Sequence, residues 1–146
     1  MKSLFDTHAY EEIKGRLAQL NANSERQWGK MTAGQMAFHC QFPLKLALTS
    51  KPLKRKFNPI VYLFKKSLYN DKPWKKNLPT ARMAKVSEDK DFASEKETLT
   101  QMVDSFYERR SQEEWHAHPV FGKFTKQQWG QMQYKHLDHH LRQFGV

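Results

Sequence analysis

The chain has 146 residues, 38% of them apolar and 13% aromatic, which suits one packed domain over residues 1–146 and excludes a disordered chain. Lys and Arg number 25 against 15 Asp and Glu, a formal charge of +10, and the single cysteine, Cys40, excludes an internal disulfide or a cysteine-rich zinc module. No apolar run nears the roughly 20 residues of a membrane-spanning helix, and Asp6 interrupts the N-terminus before a signal-peptide apolar region forms, so the expectation is a reduced, soluble, cytoplasmic protein with no membrane span.

Helical periodicity dominates. A first helix is predicted after Asp6 or Thr7, where Tyr10, Ile13, Leu17 and Leu20 recur on one face, ending at residues 21–24. A second opens at Thr32, whose offset from Gln35 is that of a capping box, and runs through His39 towards Leu48, with Pro43 marking a kink or an early end. Asn58-Pro59 reads as the cap and first turn of a short helix over residues 60–69, packed on the main body. A third long helix begins near Asp91-Phe92 and carries Leu99, Met102, Val103 and Phe106. Thr125 and Gln128 form a second capping box, opening a final helix through Trp129, Met132, His136 and His140.

Four principal helices predict an all-α four-helix bundle, and the long link over residues 51–90 allows the second and third helices to run parallel by a crossover. The phrase Trp28-Gly29-Lys30-Met31-Thr32 with Gln35 recurs as Phe121-Gly122-Lys123-Phe124-Thr125 with Gln128. It reads either as two helices leading symmetrically into one site or as two good N-caps.

Charge is concentrated in the crossover. Residues 51–85 hold eleven basic residues and one acid, Asp71, so this stretch carries the whole net charge and the rest sums to zero. It is either an anion-facing patch, for nucleic acid or an acidic ligand, or a solvated connection.

The chemistry-bearing residues are histidines. His136 and His140 are one helical turn apart and project from one face, so they can share a metal ion, whereas His139 points about 100° away from His140. A third ligand must come from another helix, and His39 lies in the interior of the second. Neutral imidazoles suit zinc, nickel, copper or iron, and three protein ligands leave a position for water or substrate. Cys40 reads as core, Asp138 as a surface contact, and His116 and His118 as loop histidines. Trp28, Trp74, Trp115 and Trp129 read as core or loop anchors.

Thr32-Ala33-Gly34-Gln35-Met36 leading to His39, with His136-Leu137-Asp138-His139-His140-Leu141-Arg142-Gln143 near the end, resembles the DinB-like (YfiT-type) superfamily. His118-Pro119-Val120-Phe121-Gly122, the start over residues 125–129 and Phe144 narrow the similarity to a branch of unassigned function, over nearly the whole chain. The resemblance implies up-down-down-up helix order, a homodimer, and a zinc or nickel site held by His39, His136 and His140, with His139 a supporting histidine. It further implies a metal-dependent transferase or hydrolase acting on a small-molecule substrate, in some relatives a low-molecular-weight thiol. The basic crossover departs from a minimal member of that superfamily. Two other readings stand beside this one: a nucleic-acid- or anion-binding module using residues 51–85, and a metal-stabilised bundle without catalysis.

Overall fold

In the structure, a computed structural model describing residues 1–51, 54, 59–80 and 84–146, each long helix starts where a polar side chain precedes an apolar periodic run. Asp6, Thr32, Asp91 and Thr125 are the N-caps of α1 (Thr7–Gln19), α2 (Ala33–Leu48), α4 (Phe92–Glu108) and α5 (Lys126–Gln143), and α3 (Pro59–Leu63) is a short helix in the crossover. Thr32 and Thr125 both close full capping boxes: each hydroxyl accepts the amide N–H of Gln35 or Gln128 at 3.2 Å, and each glutamine oxygen accepts the threonine amide at 3.0 Å. Gly29 and Gly122, in the repeated phrase, hold φ of +79° and +72°, a left-handed turn that glycine adopts at little cost. The repeat is therefore a shared helix-start device.

Side-chain contacts fix the direction of every long helix. Gln41 of α2 donates to the Glu95 carboxylate near the start of α4 at 2.6 Å, and Arg109 at the end of α4 donates to the Leu48 carbonyl at 3.1 Å, so α2 and α4 run parallel. Tyr134 meets Glu12 at 3.0 Å and Arg16 meets Asp138 at 2.8 Å, so α1 and α5 are also parallel. Gln133 donates to the Pro43 carbonyl while His136 faces His39, an antiparallel α2–α5 pair. Tyr10 bonds Asp104 and Lys96 bonds the Leu20 carbonyl, an antiparallel α1–α4 pair. The order is up-down-down-up. Packing runs around a ring α1–α4–α2–α5, which places α1 diagonally opposite α2 and α4 diagonally opposite α5. Among the described residues no strand forms, and no described helix is long and apolar enough to cross a membrane.

Ile13, Leu17, Met36, Leu44, Leu99, Phe106, Leu137 and Leu141 are all but fully buried, each worth about 1.5–3 kcal/mol relative to exposure. Trp129 joins them, and Cys40 is core, as its position beside an inward histidine predicts. Helix α2 runs to Leu48 as expected, so of the two readings of Pro43 the early end falls. Having no N–H, Pro43 cannot close the helical bond back to the His39 carbonyl, and α2 is held instead by its burial against α4 and α5. The crossover helix is not continuous: α3 stops at Leu63 and a 3₁₀ turn covers Lys65–Leu68. Leu63 and Phe64 are exposed, and the body packs against Leu68 and Tyr69 instead. The predicted cap Asn58 lies outside the described residues.

Candidate metal centre

The inward faces of α2 and α5 meet at three imidazoles. His39 comes from the middle of α2, and His136 and His140 sit one turn apart on α5, so the antiparallel pairing places all three at one level of the bundle. One ring nitrogen from each lies within 4.8 Å of the others, a geometry that can hold a metal ion. The Nε2 atoms of His39 and His136 are 3.1 Å apart. Ligand nitrogens at about 2.0–2.1 Å from one ion stand about 2.9 Å apart at a right angle and about 3.4 Å apart at a tetrahedral one, so this spacing suits a shared ion.

The outer nitrogens explain the ring orientations. His39 Nδ1–H donates to the Ala84 carbonyl at 2.8 Å, and His140 Nδ1–H donates to Gln143 Oε1 at 2.8 Å. Those bonds assign the proton to Nδ1 and leave the Nε2 lone pairs for a cation, the arrangement that typically supports metal-bound histidines. Gln143 is fixed in turn, because its Nε2 donates to the Trp28 carbonyl at 2.8 Å. Among the described residues His136 Nδ1 is buried without a hydrogen-bond partner. An unpaired buried nitrogen costs about 1–3 kcal/mol, and such strain collects where a group has a task other than stability.

Burial keeps these rings neutral. Desolvation lowers the pKa of His39 and pushes His140 down to about 3, with the neighbouring His39 adding to it. His136 falls well below its usual range through burial and then through its proximity to His140, His39 and His139. Neutral imidazole is the ligand form, so a cation would displace few protons at pH 7.

Around the cluster stand residues that the sequence did not single out for this site. Trp74, from the crossover, packs edge-on against His136 and His139 at ring separations of 5.9 and 5.6 Å, and Trp28 lies 5.8 Å from His139. Trp74 Nε1 donates to the Ser67 carbonyl, which also accepts Lys135 Nζ at 2.7 Å. Lys135 reaches Asn70 through two further bonds and so ties the crossover to α5. The spacing of Gln143 from His140 puts it on the same helix face, a usable signal for its role. The Ala84 carbonyl and Trp74 carried none, since both act through tertiary placement.

Other candidates lie elsewhere. His139 lines the neighbouring cavity rather than the cluster. Asp138 pairs with Arg16 and Arg142. His118 is at the other end of α5, where its Nδ1 accepts the amides of Val120 and Phe121, and His116 contacts the Ser50 carbonyl. Of the two copies of the repeated phrase, only Trp28-Gly29 reaches the cluster, through Gln143; the other packs against His118. Trp115 and Trp129 pack with Phe106 and Phe124 in the core.

These features define the class: an all-helical bundle that gathers histidines from facing helices at a potential cation site. The chain belongs to a family described as a protein of unknown function, DUF1569, which matches residues 2–145. No curated protein and no solved structure matches it.

Proposed function

We propose that the chain is one DinB-like bundle domain that binds a divalent transition metal, zinc or nickel, through Nε2 of His39, His136 and His140. One observation carries this reading: Ala84 and Gln143 each accept the outer N–H of a buried histidine, which turns their Nε2 atoms inward, towards the α2–α5 junction. A bound ion there would supply Lewis acidity, lowering the pKa of a coordinated water or thiol. The chain's own residues do the rest: Gln143 orients His140, the Ala84 carbonyl orients His39, and Trp74 shields His136 from water. The reaction we propose is a metal-dependent transfer or hydrolysis on a small molecule, with a low-molecular-weight thiol as the first co-substrate to test, in a cytoplasmic homodimer.

Metal per chain, measured by mass spectrometry on protein purified without chelator or tag, tests the site directly. Wild type is expected to carry or take up close to one zinc or nickel ion, and His136→Ala to lose it. A wild type that takes up neither metal refutes the site. Thiol-conjugation activity that persists in both His136→Ala and His140→Ala refutes the metal-dependent reaction.

A further inference from the structure

A cavity of about 430 Å³ opens beside the cluster, with His139, His140 and Gln143 on its floor. One wall is the turn that leads into α2, including Trp28, Lys30 and Met31; the other comes from described residues of the 77–87 segment, including Leu78, Lys85 and Val86. The volume suits a metabolite-sized ligand. Its charge is one-sided. Both charged side chains that line it, Lys30 and Lys85, are cationic, and among the described residues no ion pair engages either. The nearby acid Glu88 pairs with Lys90 instead. Lys76 adds a third cation near the rim, 4.8 Å from the centre of the Trp28 ring. The histidines on the floor carry no negative charge to offset it. An anion entering this space therefore meets uncompensated positive charge, an apolar wall and a route to His140.

We infer that the cavity takes a small organic anion, a carboxylate or a phosphate ester with a flat apolar body. Lys30 and Lys85 hold its charge, and Trp28, Met31, Leu78 and Val86 seat its body. This assignment rests on the reading that the three histidines form a working metal centre, whose substrate it would specify. It also gives part of the basic crossover a task at the site.

The test uses benzoate, phenyl phosphate and neutral benzamide, titrated by calorimetry at low salt into zinc-loaded protein and into chelator-treated protein. Benzoate or phenyl phosphate is expected to saturate the cavity where benzamide does not, and the tighter of the two identifies the acidic group preferred. In the Lys30→Gln/Lys85→Gln variant the anion should weaken by up to roughly fivefold for each exposed lysine removed, with zinc content unchanged. Benzamide binding as well as both anions overturns the inference on wild-type protein alone. So does an anion affinity that the double variant leaves unaltered, which would leave the metal centre standing. Lysine-dependent anion binding by protein that takes up no metal would uphold the cavity and refute only the metal reading.

Discussion

Gln143→Met removes the acceptor that orients His140 while keeping the side chain's length and near-volume. The native amide makes two bonds, accepting from His140 Nδ1 at 2.8 Å and donating to the Trp28 carbonyl at 2.8 Å. Losing the first frees the ring to rotate and to place its proton on either nitrogen. Loss of such an outer partner lowers metal affinity by about 10- to 100-fold, or about 1.4–2.7 kcal/mol. The second effect is on the metal-free fold. Each stranded polar group costs about 1–3 kcal/mol, and the adjoining cavity lets water reach both, so the low end applies and the sum is about 2 kcal/mol. At about 2.1 cal/mol/K per residue, a chain of 146 residues has an unfolding entropy near 0.3 kcal/mol/K, so Tm should fall by about 6–7 °C. Competition against a chromophoric chelator measures the first effect and scanning calorimetry the second. Gln143→Glu separates them, because its carboxylate still accepts from His140 but no longer donates to Trp28. It should keep zinc affinity and still lose stability. Zinc affinity within twofold of wild type in Gln143→Met would refute the claim that this glutamine positions the ligand.

Two further outcomes follow from the fold. In Gly34→Ala the new methyl runs into the Lys90 carbonyl and the Phe92 amide, backbone atoms that cannot rotate away. Overpacking of about 1–3 kcal/mol should exceed the helix-propensity gain of about 1 kcal/mol, so the urea midpoint should fall; a rise would show that α2 and α4 are not in close register. Burial, with Lys65 nearby, pushes His118 down from 6.5 to about 4. Because the unfolded chain takes up this proton first, the stabilisation is complete above about pH 6.5 and drains away as pH falls towards 4, by about 3 kcal/mol. His118→Asn keeps an acceptor for the Val120 and Phe121 amides, so its stability relative to wild type should improve by about that amount between pH 7 and pH 4. Parallel pH profiles would refute a neutral, buried His118.

Helix starts were readable because they are local. A side-chain oxygen that must satisfy a free amide two or three residues on can be recognised without knowing the fold, and Thr32, Asp91 and Thr125 all do this at starts; Asp6 also precedes a helix, but its carboxylate accepts the Ser3 amide instead. The His136–His140 pair was legible for the same reason. The length of chain between α2 and α4 allowed the parallel course they take without dictating it. What escaped was set by tertiary placement. A backbone carbonyl such as that of Ala84 looks like any other in the sequence, and Trp74 sits in a segment with no period to orient it. The exposed Leu63 and Phe64 reverse the expected packing of the crossover because the chain leaves helical geometry after Leu63, and Leu68 and Tyr69 then reach the body.

The diagonal placement of α1 and α2 bears on when the site can exist. α1 and α2 pack mainly against α4 and α5, not against each other, so the first half of the chain has little of its own to collapse onto. On a ribosome, His39 emerges long before His136 and His140, and its imidazole waits without the neighbours that would converge on it. The last turns of α5 supply two members of the triad at once and also close the ring of helices. A cation captured there would act as a seal on the finished bundle, set only after both halves of the chain have interleaved.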